Sequence, residues 1–157
     1  MRFIFQGVLF TLILFTVSCN SNRLYHRVIK VPETVWNNGD RYRFVIPVNK
    51  ETEKTNLHLF LRYASAFQYS EFEVKFLIYA PDKSLVAEET SKLSIRTQEG
   101  ELTGDGLGNI WDKEFTLLEN TDIFKQPGKY TFEISHLMPE AQVFFISEIG
   151  ISLYRAE

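Results

Sequence analysis

The feature that most limits what this chain can fold into is a hydrophobic alternation of period two. In "RYRFVIPV" (41–48), Tyr42, Phe44, Ile46 and Val48 alternate with Arg41, Arg43, Val45 and Pro47. "NLHLFLRY" (56–63) sets Leu57, Leu59 and Leu61 against His58, Phe60 and Arg62, and "FEVKFLIYA" (72–80) stacks Phe72, Val74, Phe76 and Ile78. Successive side chains of an extended strand point to opposite faces, so each segment reads as a strand with one buried face. Further strands are expected at 27–31, 85–95, 110–118, 130–136 and 143–155, and no stretch carries a helical period. Turn chemistry in "APDKS", "QPGK" and "MPEA" punctuates them. With no helix-crossover pattern, the prediction is an all-β fold, an antiparallel β-sandwich of jelly-roll-like type.

The 157 residues amount to one domain, expected over 27–157, with enough chain to bury a core without cross-links. The aromatic content of 15% suits a β-rich core, although Phe3, Phe5, Phe10 and Phe15 fall in a leading apolar run. That run, "FIFQGVLFTLILFTVS" (3–18), is uncharged and follows Met1 and Arg2. It is slightly short for a bilayer span of about 20 residues and reads as a secretory signal over 1–18.

The single cysteine, Cys19, stands directly after Thr16, Val17 and Ser18 and before "NSNR". The arrangement resembles the lipobox of bacterial lipoproteins, with Thr16 where that motif usually has Leu. The resemblance implies a diacylglyceryl group on the thiol, cleavage before Cys19 and acylation of the new amine. The alternative is a signal peptide with an incidental cysteine and another cleavage site. Acyl chains contribute about 0.8 kcal/mol per buried CH₂, enough for several to form a stable anchor. With no second cysteine there is no internal disulfide. The tether, residues 19–26, spans at most about 25 Å before the first expected strand, which would hold the domain close to the membrane. No acidic run resembling the surface-export signal of some bacterial lipoproteins follows Cys19, and the absence of that resemblance favours a domain facing the periplasm. Removing residues 1–18 lowers the basic count from 17 to 16 against 20 acidic groups. That overall balance does not recruit nucleic acid or an anionic surface.

One segment breaks the strand rhythm. "TQEGELTGDGLGNIWD" (97–112) holds four of the eight glycines, at 100, 104, 106 and 108, and ends on Trp111-Asp112. It lacks the Lys and the following helix of a phosphate loop and the spacing of a dinucleotide fingerprint. A calcium site from Asp105, Asn109 and Asp112 departs from EF-hand spacing. The plain reading is a long ordered loop closing one end of the sandwich; the functional one is a partner-binding loop.

The ordered motifs resemble the GldH family of gliding-motility lipoproteins of Bacteroidota. They are the lipobox and, after it, Trp36 in "PETVWNNGD", "NLHLFLRYASAFQYSEFEVKFLIYAPD", "GELTGDGLGNIWD", "PGKYTFEISHLM" and "EIGISL"; the resemblance covers residues 25–153 of the mature chain. Leu102 stands where the family tends to have an aromatic, and Met138-Pro139 replaces a Met-Arg pair, so no role of that arginine carries over. The resemblance implies a non-enzymatic, membrane-anchored envelope component linked to gliding and type IX secretion, with other envelope proteins as partners. It implies no catalytic motif, cofactor or metal.

The residues point the same way. His26, His58 and His136 are isolated, no Gly-x-Ser-x-Gly elbow occurs, and Glu88 and Glu89 should face opposite sides of one strand. Carboxylates meeting across a cleft would be needed for an envelope hydrolase. The rival reading is a carbohydrate-binding sandwich in which Trp36, Trp111, Tyr63, Phe67 and Tyr69 form a platform for glycan. Phe67 and Tyr69 fall between two strands, where exposed aromatics mark contacts. The candidate partner-binding residues are therefore Phe67, Tyr69, Gly104, Asp105, Gly106, Gly108, Trp111 and Asp112, with lipidation at Cys19.

Overall fold

The computed structural model describes residues 22–49 and 54–156; Cys19, the expected signal segment and the first part of the tether lie outside the described residues. Eleven strands follow in chain order: β1 (Arg23–Lys30), β2 (Val35–Asn37), β3 (Tyr42–Val48), β4 (Thr55–Ala64), β5 (Glu71–Tyr79), β6 (Leu85–Ser94), β7 (Asp105–Leu107), β8 (Ile110–Thr121), β9 (Gly128–His136), β10 (Gln142–Phe144) and β11 (Ile146–Arg155). All named pairings are antiparallel. A five-stranded sheet runs β1-β11-β4-β8-β7, a four-stranded sheet runs β3-β9-β5-β6, and β10 and β2 form a short ribbon.

The two larger sheets form the sandwich that the alternation predicts. From one sheet Leu57, Leu59 and Leu61 of β4 and Ile149, Ile151 and Leu153 of β11 face inward; from the other come Phe44, Ile46, Phe72, Val74, Phe76, Phe132 and Ile134, all buried. The predicted inward faces of β3, β4 and β5 are those observed. Edge-on and stacked ring pairs, such as Phe76 on Phe132 at 5.5 Å, fill the space between the sheets.

Three local departures have physical causes. The first strand starts at Arg23, not 27, because Tyr25 and Ile29 pack against the core while the backbone pairs with β11 from Arg23 to Lys30. The expected single strand over 143–155 breaks at Phe145, whose φ of +72° turns the chain between β10 and β11. The long loop expected over 97–112 is instead two tight reversals. Arg96 and Leu102 form a bridge around the first, and β7 and β8 form a hairpin at the second.

Thr55 of β4 pairs with Arg155 and Thr121, and the Arg155 amide donates to the Asn22 carbonyl at 2.8 Å. This end of the sandwich therefore carries the start of the described chain. Ala64, at the other end of β4, lies about 30 Å away at about 3.3 Å per residue.

Candidate functional site

The glycine-rich segment builds a hairpin at the end remote from Asn22. Leu107 pairs with Ile110, so Gly108 and Asn109 form a two-residue turn, and Gly108 supplies the positive φ of +62° that such a turn requires. Gly106 lies opposite Trp111, and a Cβ there would come within 2.9 Å of the indole ring. The absent side chain lets the Trp111 ring lie across the β7 backbone.

Polar contacts fix the hairpin to the sandwich. The Tyr63 hydroxyl donates to the Thr103 carbonyl, and Lys113 Nζ donates to Thr103 Oγ1 at 2.6 Å and to the Ser94 carbonyl at 2.9 Å. Lys113 thereby straps the edge of one sheet to the edge of the other, and burial pushes its pKa down. Arg62 of β4 donates to both oxygens of Asp112, at 2.7 and 2.6 Å, and to Glu148 at 2.9 Å. The Asp112 hydrogen bonds push the guanidinium's pKa up further. With both its oxygens accepting from Arg62, Asp112 is a stabilising anchor for the hairpin. Among the described residues, no group of three His, Cys, Asp or Glu side chains is placed to hold a metal.

The predicted contact residues do not share one exposure. Gly104, Asp105, Gly106 and Gly108 are exposed, and Tyr69, Trp111 and Asp112 are half-buried. Phe67 corrects the sequence reading: only 1% of it is accessible. Its ring packs against Tyr63, Tyr69 and Phe72 at 5.3–5.7 Å. The short loop after β4 folds back through the Phe67 amide to the Ala64 carbonyl, and Arg96 Nη2 donates to the Phe67 carbonyl at 2.7 Å, which turns the ring into the core. Trp36 and Tyr63 are buried as well, at 0% and 1% accessible. The five-residue aromatic platform for glycan is therefore not formed.

The exposed apolar residues at this end are others. Leu107 is 87% accessible, Ile110 50%, Phe144 45% and Phe145 39%. They are neighbours: Ala64 pairs with Ile110, its amide donates to the Phe145 carbonyl at 2.9 Å, and the Ser65 amide donates to the Asn109 carbonyl at 2.9 Å. The Phe144 and Phe145 rings lie 6.4 Å apart. A bulky aromatic in the left-handed region is strained, and it is held there by its amide donating to the Thr34 carbonyl at 2.8 Å. Sequence reasoning missed this corner because "VFFIS" reads as uninterrupted strand, which would bury alternate residues.

A second polar cluster lies on the outer face of the five-stranded sheet. Ser152 Oγ is 3.0 Å from His26 Nδ1 and donates to Glu114 at 2.8 Å; the Tyr154 hydroxyl also donates to Glu114, at 3.1 Å. Glu114 thus binds the serine and does not orient the histidine, and Ser152 is fully buried. The arrangement differs from a nucleophile–base–acid relay, in which the acid supports the base.

Matched against family models, residues 23–153 fit the GldH lipoprotein model. The chain belongs to the GldH lipoprotein family. No curated protein matches this GldH-family chain. Among solved structures, the infectious bursal disease virus VP2 subviral particle aligns over 87% of the chain and 34% of its own length, at 13% identity and a TM-score of 0.39. Dimeric latent PorU from Porphyromonas gingivalis aligns over 88% of the chain and 14% of its own length, at 8% identity and 0.33. The xylan-binding module CBM15 aligns over 85% of the chain and 100% of its own length, at 15% identity and 0.35. The chain thus spans about a third or less of the first two. All three scores are below 0.5, and no property of those proteins is transferred to this GldH-family member. No helix among the described residues is long and apolar enough to cross a membrane.

Proposed function

We propose that this GldH-family chain is a non-enzymatic cell-envelope protein, anchored in the membrane through acylated Cys19 and acting as an accessory component of the gliding and type IX secretion machinery. It works through protein–protein contacts from the outer membrane, facing the periplasm. The observation that carries the contact reading is the polarity of the domain. The described chain starts at one end, and the exposed Leu107, Ile110, Phe144 and Phe145 group at the other. An anchor at the first end presents the apolar patch away from the membrane, where an envelope protein can cover it. Gly104, Asp105, Gly106, Gly108, Trp111 and Asp112 shape the hairpin behind this patch, and the half-buried Tyr69 packs on Phe67.

The test is a mild-detergent purification of the native-level protein with mass spectrometry of the mature amino terminus and of copurifying proteins. The expected result is an acylated Cys19 with envelope proteins that are lost in Leu107→Asp/Ile110→Asp, while Cys19→Ala frees the domain from membranes. A Cys19→Ala protein still membrane-bound refutes the anchor. Partners retained by a folded Leu107→Asp/Ile110→Asp variant refute the surface.

A further inference from the structure

The outer face of the four-stranded sheet carries a charge pattern unlike that of the chain as a whole. A shallow groove of about 580 Å³ is lined by Arg41, Arg43, Lys83 and Lys129, with Glu133 the one acid and Tyr79 the one aromatic. Glu133 offers little to a ligand. Its Oε1 accepts from Arg43 Nε at 2.8 Å and lies 2.6 Å from Nη2, and its side chain is 8% accessible while that of Arg43 is 69% accessible. The acid thus lies beneath a guanidinium that it orients. Arg41, Lys83 and Lys129 form no ion pair among the described residues. The formal balance of the groove is four positive charges against one negative, in a chain of net charge −3.

The cations form two poles. Arg43 pairs with Glu133, Val45 with Thr131, and Pro47 with Lys129, and Tyr79 pairs with Thr131 from the other side. Tyr79 and Thr131 therefore occupy the row between the arginine row and the Lys129 row. Pro47 is four positions after Arg43, so the two backbone rows stand about 13 Å apart at about 3.3 Å per residue. A ligand that matches both rows with their side chains extended outward carries two anionic groups across a polar body able to lie on a tyrosine ring and bond to a threonine hydroxyl.

We propose that this groove binds a saccharide bearing two phosphates, the chemistry of a phosphoglycolipid headgroup or of a soluble sugar bisphosphate. The lysine pole is at the end where the described chain starts: Pro81 lies against Gly128, and Ala80, Ser84 and Tyr130 share a surface pocket with Asp122, the residue after β8. That placement favours the lipid source. Only this choice of source rests on the membrane anchoring proposed above; the site itself rests on its own charges.

The experiment is calorimetric titration of the full-length chain in non-ionic detergent, in which binding does not depend on acylation of Cys19. The probes are a diglucosamine 1,4′-bisphosphate with and without acyl chains, unphosphorylated diglucosamine with its amines acetylated, and inorganic phosphate. Losing one cation from each pole, Arg41→Gln/Lys129→Gln should weaken bisphosphate binding roughly 25-fold, about 2 kcal/mol. Arg27→Gln/Lys30→Gln on the other sheet should leave it unchanged. Tighter binding of the acylated probe assigns the lipid source, and equal binding of both bisphosphates the soluble one; either supports the site. Inorganic phosphate or the neutral sugar binding as tightly as the bisphosphate overturns the proposal, as does equal weakening by the two double substitutions or full affinity in the groove variant.

Discussion

Truncating Phe67 to alanine separates a core residue from a contact residue. The ring is 1% accessible and touches three other aromatics, Tyr63 at 5.7 Å, Tyr69 at 5.3 Å and Phe72 at 5.7 Å. The main chain around it is held by the Ala64 carbonyl and the Arg96 guanidinium, so the loop cannot readily collapse into the space left behind. Removing a fully buried phenylalanine ring from such a site costs about 3–5 kcal/mol, the lost transfer energy plus the cavity. That is a large share of the roughly 5–15 kcal/mol that holds a domain of this kind together. The matched control is Leu107→Ala, at 87% accessible, for which the change should stay within about 0.5 kcal/mol. Equilibrium urea unfolding followed by far-ultraviolet circular dichroism reads both, with equal slopes required for the comparison. A Phe67→Ala loss below about 1 kcal/mol would refute the packing argument and return Phe67 to the surface.

Gly106→Val drives the Trp111 ring off the β7 backbone, since even a Cβ meets it at 2.9 Å; a red-shifted tryptophan emission with global stability lowered by about 1–3 kcal/mol is expected, and an unchanged spectrum would sink the idea. Phe145→Gly relieves a left-handed conformation at φ +72°, a gain of about 1–2 kcal/mol set against about 0.5–1 kcal/mol of glycine entropy. Stability should hold within about 1 kcal/mol while partner capture falls, and parallel loss of both would assign Phe145 a purely structural role. His136, 3% accessible, has its pKa pushed down by burial. Below about pH 6.5 the unfolded chain takes up a proton that the fold resists, so His136 lowers stability as pH falls, by at most about 1.4 kcal/mol per pH unit, until its own lowered pKa is reached. His136→Phe should flatten the difference in urea midpoint between pH 7.5 and 5.5, and an unaltered difference would place the acid sensitivity elsewhere.

The sequence by itself determined the strands and their faces. Alternation in 41–48, 56–63 and 72–80 is a local property, and the pleat converts it directly into an inside and an outside. For the same reason Glu88 and Glu89 lie on opposite faces, paired with Leu77 and Phe76. The ordered motifs also pointed to the GldH lipoprotein family, which the match over residues 23–153 shows. Tertiary structure alone decided which loop residues are buried. Phe67 is in the core because Tyr63, Phe72 and Arg96 enclose it, and Phe144 and Phe145 are exposed because a left-handed corner breaks the alternation that would have hidden one of them. It alone decided the basic groove, whose cations come from β3 and the residue before it, from β9 and from the turn after β5, and gather only when those strands pair. Strand identity follows from neighbours two residues apart, whereas burial in loops and charge on a sheet face depend on segments tens of residues away, which no local pattern encodes.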